Sequence, residues 1–414
     1  MSSSQSVWKF IQEYSLLLVF GAFGALAWAN INYDSYHHLV EVVLIDHFPV
    51  GHLHDGHRTL TLHYLINDVL MAFFFAIAGK EVWEAIILKD GSLRGRKALT
   101  PLIATAGGMI GPVGVYLVGA FLLGKFAILA NGWAIPTATD IAFSYLVARI
   151  VFGARHPAVG FLLLLAIADD ATGLVILALF YPQGELAVEW LGLSVGAAIA
   201  VYFLANRLPR ILDAGSDDRR YSKIAEKFGF WPYLIAGCAS WYGFQQAGIH
   251  PALGLLPIVV TIPHADLDFG LFSAKEKGGH DLLNDIEHKL KVPVEFILLL
   301  FGFANAGVEF SAIGDATWLV LAGLIIGKPV GIFLFGWIAA GPLGLGLPQG
   351  MKMNHLVVIG FIAAIGFTVS LFISAVAFAP GLVQDAAKMG ALFSFGAVFL
   401  SLLAGRIFRV EKQN

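Results

Sequence analysis

The sequence predicts an all-α integral membrane protein with about twelve transmembrane helices, inverted repeats and two interrupted helices. Three observations carry this: an apolar composition, an alternation of basic loops, and a short internal repeat followed in each copy by a breakable helix. With 58% hydrophobic and 13% charged residues and a mean hydropathy of +0.76, the chain lies outside the range of soluble domains, where about a quarter of residues are charged. A net charge of -3 offers no concentrated basic surface and excludes a nucleic-acid partner. The single cysteine, Cys238, leaves no intramolecular disulfide framework and reads as a small buried residue of an apolar helix.

Stretches long enough to cross about 30 Å of hydrocarbon run Ser15–Ala29, Leu60–Leu88, Thr100–Leu123, Trp133–Val151, Pro157–Tyr181 and Leu186–Leu204. Six more follow at Phe228–Phe244, Pro251–Pro263, Pro293–Ala312, Thr317–Ala340, Asn354–Ala379 and Leu382–Phe408. Pro251–Pro263 is short and bounded by prolines, which makes it the weakest span.

Lys and Arg gather in alternate loops: Lys89, Arg94, Arg96 and Lys97; Arg149 and Arg155; Arg207 through Lys227; Lys275 through Lys291; Lys352; and Arg406, Arg409 and Lys412. The opposite loops hold Arg58, Lys125 and Lys388, so the positive-inside rule puts both termini of a multi-pass protein in the cytoplasm. The first stretch reads as a retained span rather than a cleaved signal, because its leading segment has one Lys9 and also Glu13. "SVWKFIQEYS" before it suits an amphipathic helix lying in the membrane surface, with lipid as the surrounding partner. The outer segment "HFPVGHLHDGHRTLTLH" collects His47, His52, His54, His57 and His63. Clustered imidazoles can bind zinc, but no defined ligand spacing recurs, and the segment reads as a solvated loop.

"MIGPVGVYLVG" (Met109–Gly119) and "IIGKPVGIFLFG" (Ile325–Gly336) share IG, PVG and a following Gly, with Lys328 as an insertion. They lie in the third and tenth spans, separated by an odd number of crossings, and so run in opposite directions through the bilayer. Within one polytopic domain covering 1–414, the segments 100–181 and 317–408 are candidate inverted repeats that form an ion-binding core. The helix after each is breakable: "GWAIPTATDIAF" has Pro136, and "IGFIAAIGFTVS" has Gly360 and Gly366.

Four charges fall near one plane at the bilayer centre: Asp140, Asp169, Asp170 and Lys328. At roughly 2.5 to 3.5 kcal/mol each, they cost on the order of 10 kcal/mol unless paired, hydrated or neutralised. An ion pair accounts for one acid and the base, and the remaining carboxylates point to function. Neighbours on a helix diverge by about 100°, so one of Asp169 and Asp170 can meet Lys328 while the other faces a cavity with Asp140. Carboxylates hold protons or a small hard cation such as Na⁺ or Li⁺, with the Thr139 hydroxyl and carbonyls freed at a break completing the shell. Opposed breaks would also bring helix ends to the membrane centre, where a carboxylate offsets N-termini and an ammonium offsets C-termini.

"WAIPTATDIAF", "LAIADDATG", "IGKPVGI", "FGFANAGVEF" and "IGFTVSLFI" resemble, in order and spacing, the signature segments of NhaA-type sodium/proton antiporters. "INDVLMAFFFAIAGKEV" and "GGMIGPVGVYL" extend the similarity over most of the chain. The resemblance implies crossed, broken fourth and eleventh helices and electrogenic exchange of two protons for one sodium or lithium ion, without a cofactor. Residue by residue, it makes Asp170 the principal ion- and proton-binding group, Asp169 the partner of Lys328, and Asp140 the aspartate near the crossing. A cytoplasmic pH-sensing surface would include Glu81, Glu287 and His288. The chain departs from the family in "GKEVWEA", which sets Lys80 beside Glu81, and in Lys291 after "EH", so the pH response is the property these changes touch. The His-rich segment replaces the region in which the family carries a dimer-forming β-hairpin, and a homodimer rests on the resemblance alone.

Other classes fit less well. An intramembrane aspartyl protease needs GxGD, and "AIGD" ending at Asp315 lacks the first glycine. A cation channel favours rings of equivalent carboxylates. The nearer alternative is a sodium-coupled solute symporter of similar architecture.

Overall fold

The computed structural model describes residues 16–54, 56–87, 92, 93, 95, 98–213, 221, 227–263 and 282–413. The amphipathic N-terminal segment and several of the basic loop residues used for topology, among them Lys89, Arg94, Arg96, Lys97 and Lys275, lie outside them.

In chain order the elements are α1 (Leu16–Ile31), α2 (Tyr33–Val40), β1 (Val43–Ile45), β2 (His52–His54), β3 (His57–Thr61) and α3 (Leu62–Ile87). Next come α4 (Leu99–Leu122), α5 (Phe126–Thr137), α6 (Ile141–Phe152), α7 (Pro157–Phe180), α8 (Val188–Arg207), α9 (Trp231–Ala247) and α10 (Leu282–Asn305). The chain closes with α11 (Asp315–Ala340), α12 (Met353–Ala363), α13 (Phe367–Ala377) and α14 (Leu382–Ile407). Among the described residues, α3, α4, α7, α8, α11 and α14 are long and apolar enough to cross a membrane. The pairs α5/α6 and α12/α13 qualify together, bent by 53° and 52° at breaks of four residues or fewer. These are the two interruptions expected at Pro136 and Gly366. Apolar side chains spaced by one turn, such as Val195, Ile199 and Phe203 of α8, are exposed, which is the arrangement of a surface solvated by lipid.

Four expectations need correction. Pro251–Pro263 is not a continuous span: Pro251–Leu253 forms a 3₁₀ turn and Leu256–Val259 one α turn, since Pro251 and Pro257 each remove an amide donor. The stretch placed at Pro293–Ala312 is α10, which begins at Leu282, passes through Pro293 and ends at Asn305; its charged first turns hid the start. The His-rich segment is not an irregular loop but an antiparallel sheet of order β1-β3-β2, with His52 opposite Thr59 and Leu53 opposite Arg58. Cys238 is exposed rather than buried and shares an outward stripe of α9 with Trp231 and Ile235.

The chain divides into two compact units. One holds the sheet, α3, α8, α9 and most of α10, around a core of Val201, Tyr233, Ile258, Val259 and Leu283. The other holds α1, α4 to α6, most of α7 and α11 to α14. In this second unit the order long helix, bent pair, long helix occurs twice, as α4, α5/α6, α7 and as α11, α12/α13, α14. Helices α4 and α11 pack antiparallel, Gly107 against Gly331, Gly111 against Gly327 and Gly119 against Leu319. A Cβ on Gly111 would strike the Gly327 carbonyl oxygen, and one on Gly331 would strike that of Gly107. Gly111 and Gly327 are equivalent positions of the sequence repeat, and equivalent residues meet one another across a two-fold relation.

Candidate ion site at two interrupted helices

At the first break the backbone of Ala138 and Asp140 is extended, and chain from the second break satisfies its polar groups. The Asp140 amide donates to the Ile365 carbonyl at 2.7 Å. The Ser144 hydroxyl donates to the Ile362 carbonyl at 3.0 Å, and the Ser370 hydroxyl to the Ile135 carbonyl at 2.8 Å. The two interruptions therefore cross and supply each other's missing partners, as broken helices in hydrocarbon must.

Charge is matched to the helix ends. The Asp140 carboxylate caps α6, accepting from the Phe143 amide at 3.2 Å, and also accepts from the Thr368 amide at 3.2 Å and from the Thr368 hydroxyl. One buried anion thus serves the positive N-termini of both α6 and α13. Lys328, fully buried, donates to the Thr137 carbonyl at the C-terminus of α5 and to Asp169 Oδ2 at 2.9 Å. The Thr139 hydroxyl lies 2.7 Å from the same carboxylate oxygen and 3.2 Å from the Ala363 carbonyl at the end of α12. A π turn, Gly323–Gly327, immediately precedes Lys328. The residue inserted in the second repeat is accommodated as one wider turn, the form an extra residue takes inside a helix.

Asp170 is half-buried where Asp169 is buried, and it acts electrostatically on Lys328. The divergence of adjacent helical side chains is realised: one carboxylate is held by Lys328 and Thr139, and its neighbour is more open. The Asp140 oxygens, expected beside Asp170 as ion ligands, accept N–H and O–H groups of two helix N-termini. Thr368, Ser144 and Ser370 were missed, although each is a hydroxyl residue within four positions of a break.

The candidate pH-sensing residues lie in the other unit. Glu287 is buried and accepts from Lys80, whose ammonium is also 2.8 Å from Glu84 Oε2. His288 is exposed and Glu81 half-buried. Lys80 is thus enclosed between two acids. The same unit buries Asp68, in a π turn of α3, with His250 Nδ1 at 3.7 Å from its carboxylate. No local pattern in the sequence marks this pair, since Asp68 and His250 stand far apart in the chain.

A buried ion pair, Asp169 with Lys328, and a second carboxylate, Asp170, thus lie beside the crossing of two broken helices. The chain belongs to the family described as Na⁺/H⁺ antiporter 1, which its residues 7–408 match. It is 70% identical over 416 residues to the Na⁺/H⁺ antiporter NhaA of Jannaschia sp. (strain CCS1), covering 99% of both chains. It is 44% identical to the Na⁺/H⁺ antiporter NhaA of Desulfitobacterium hafniense (strain Y51), covering 100% of this chain and 98% of that one. The solved sodium proton antiporter MjNhaP1 of Methanocaldococcus jannaschii is similar with a TM-score of 0.44 and 14% identity, over 97% of each chain. These relatives are named as transporters, not as enzymes.

Proposed function

We propose that the protein exchanges Na⁺ or Li⁺ for H⁺ across the bacterial inner membrane, electrogenically and with a dependence on pH. Cation and protons compete for aspartates at the membrane centre, and the site opens alternately to each side. The observation that carries this reading is the pair Asp169–Lys328 beside a half-buried Asp170: one carboxylate is neutralised in place, and the next can exchange its partner. Asp170 is the principal ion and proton carrier, with oxygens of Asp169 and Thr139 nearby, and Asp140 holds the two half-helices that frame the site. No cofactor enters the exchange.

Both termini are cytoplasmic in this reading. The Gln413 backbone pairs with Phe152 and Arg155, so the C-terminal tail lies on the side of the basic loop that bears Arg155. A homodimer belongs to the same reading, since β1 and β2 are edge strands where the family has its hairpin.

The test is lumenal pH in sealed proteoliposomes. Adding external Na⁺ or Li⁺ should alkalinise the lumen, K⁺ should not, and a charge-compensating ionophore should speed the response. Na⁺ uptake that required a co-transported solute and left the lumenal pH unchanged would favour the symporter instead.

A further inference from the structure

The imidazoles that lacked a recognisable spacing in the sequence are assembled by the sheet. Asp46 follows β1 and His57 opens β3, so antiparallel pairing of those strands brings the two ends together. Between them the chain turns at His47, whose φ of 54° is left-handed, a conformation in which His is enriched among non-glycine residues. The turn is closed by the Phe48 amide donating to the Arg58 carbonyl at 3.0 Å.

The result is one carboxylate between two rings. His47 Nδ1 lies 3.2 Å from Asp46 Oδ2, and His57 Nε2 lies 3.3 Å from Asp46 Oδ1. The rings stack with centroids 4.1 Å apart and an interplanar angle of 3°, so both nitrogens converge on the same carboxylate. The neighbouring cation that would compete for Asp46 is directed elsewhere: Arg58 donates to the Gly51 carbonyl at 3.0 Å and to Gln246 Oε1 at 2.9 Å. The amide of His47 donates to the Asp46 carboxylate at 2.8 Å.

We propose that Asp46, His47 and His57 bind one divalent transition-metal cation of the Zn²⁺ class. Two imidazole nitrogens and a carboxylate oxygen form a donor set that suits Zn²⁺, Ni²⁺ or Cu²⁺ and not Mg²⁺ or Ca²⁺, which take oxygen ligands. The three donor atoms already lie within 4.8 Å of one another. Tetrahedral donors at about 2.0–2.1 Å from zinc stand about 3.3 Å apart, so closing on the ion needs small rotations of exposed or half-buried side chains. Water fills the remaining position. The bound ion would fasten the end of β1 to the start of β3.

The test uses the full-length protein, freed of any polyhistidine tag and chelator-washed, titrated with Zn²⁺ by calorimetry. Wild type should bind one Zn²⁺ per chain and melt at a higher temperature with the ion than without. Loss of a ligand weakens affinity at least as much as loss of a supporting partner, about 10–100-fold, so His47→Ala, His57→Ala and Asp46→Asn should each show that drop while melting like wild type in chelator. His52→Ala, on β2 with its ring against Tyr64, should bind like wild type, and Mg²⁺ should give no heat in any of them. No Zn²⁺ binding by wild type, binding retained in both His47→Ala and His57→Ala, or loss in His52→Ala would each overturn the assignment.

Discussion

Lys328 and Asp169 form an ion pair of 2.9 Å with both side chains buried. Removing the base leaves a buried carboxylate uncompensated, at a cost of about 3 to 5 kcal/mol, and frees the Thr137 carbonyl that the ammonium also serves. Lys328→Ala should therefore melt well below Asp170→Asn, whose site is half-buried. Thermal denaturation of the purified variants measures this, and equal melting temperatures would contradict the division between the adjacent aspartates.

Asp140 joins the N-termini of α6 and α13 through hydrogen bonds from Phe143 and Thr368. In Asp140→Asn the charge that offsets two helix ends is lost, and such interactions reach up to about 2 kcal/mol each in partly buried sites. The variant should melt lower than wild type yet still gain thermal stability from added Na⁺. An Asn variant with wild-type melting and no Na⁺-dependent gain would make Asp140 a ligand rather than a brace.

The contact of α4 with α11 admits no side chain at Gly331, where a Cβ meets backbone of Gly107. Gly331→Ala should cost about 1 to 3 kcal/mol, the range for overpacking. Gly114→Ala, at the equivalent repeat position but with nothing within 4 Å of the added Cβ, should be neutral or mildly stabilising. Matching losses in a denaturation assay would argue against the close antiparallel crossing.

What the sequence made legible follows the same physics. Spans and breaks could be read because lipid demands uninterrupted apolar helices, and Pro136 and Gly366 stand out against that demand. Asp169, Asp170 and Lys328 could be read because an apolar run gives charges nowhere to hide. The sheet could not, since its strands of three to five residues are too short for alternation to register and its metal-ligand atoms come from both sides of a turn. The start of α10 was masked by the charged turns before Pro293. The bracing role of Asp140 depends on Thr368, 228 residues away, and no local pattern links them.

His156, in the loop between α6 and α7, gives a pH signature. Burial holds its imidazole below the ordinary range, and its Nδ1 accepts the Ala158 amide at 3.1 Å, so the folded chain favours the neutral ring. The unfolded chain, with a His pKa of about 6.5, then binds more protons, and the contribution is fully present above that pH and lost as pH falls towards the folded value. Between pH 7 and 5 the melting temperature of wild type should fall more steeply than that of His156→Asn. Parallel slopes would remove His156 from the acid response.

In the proposed exchange Asp170 carries the ion while Asp169 and Lys328 hold the site together. This assignment is tested most directly by a sodium jump on proteoliposomes containing Asp170→Asn, with lumenal pH and transported charge recorded together. No sodium-driven proton or charge movement is expected from this variant, folded, inserted and close to wild type in melting temperature. Exchange at the wild-type rate by that variant would contradict it.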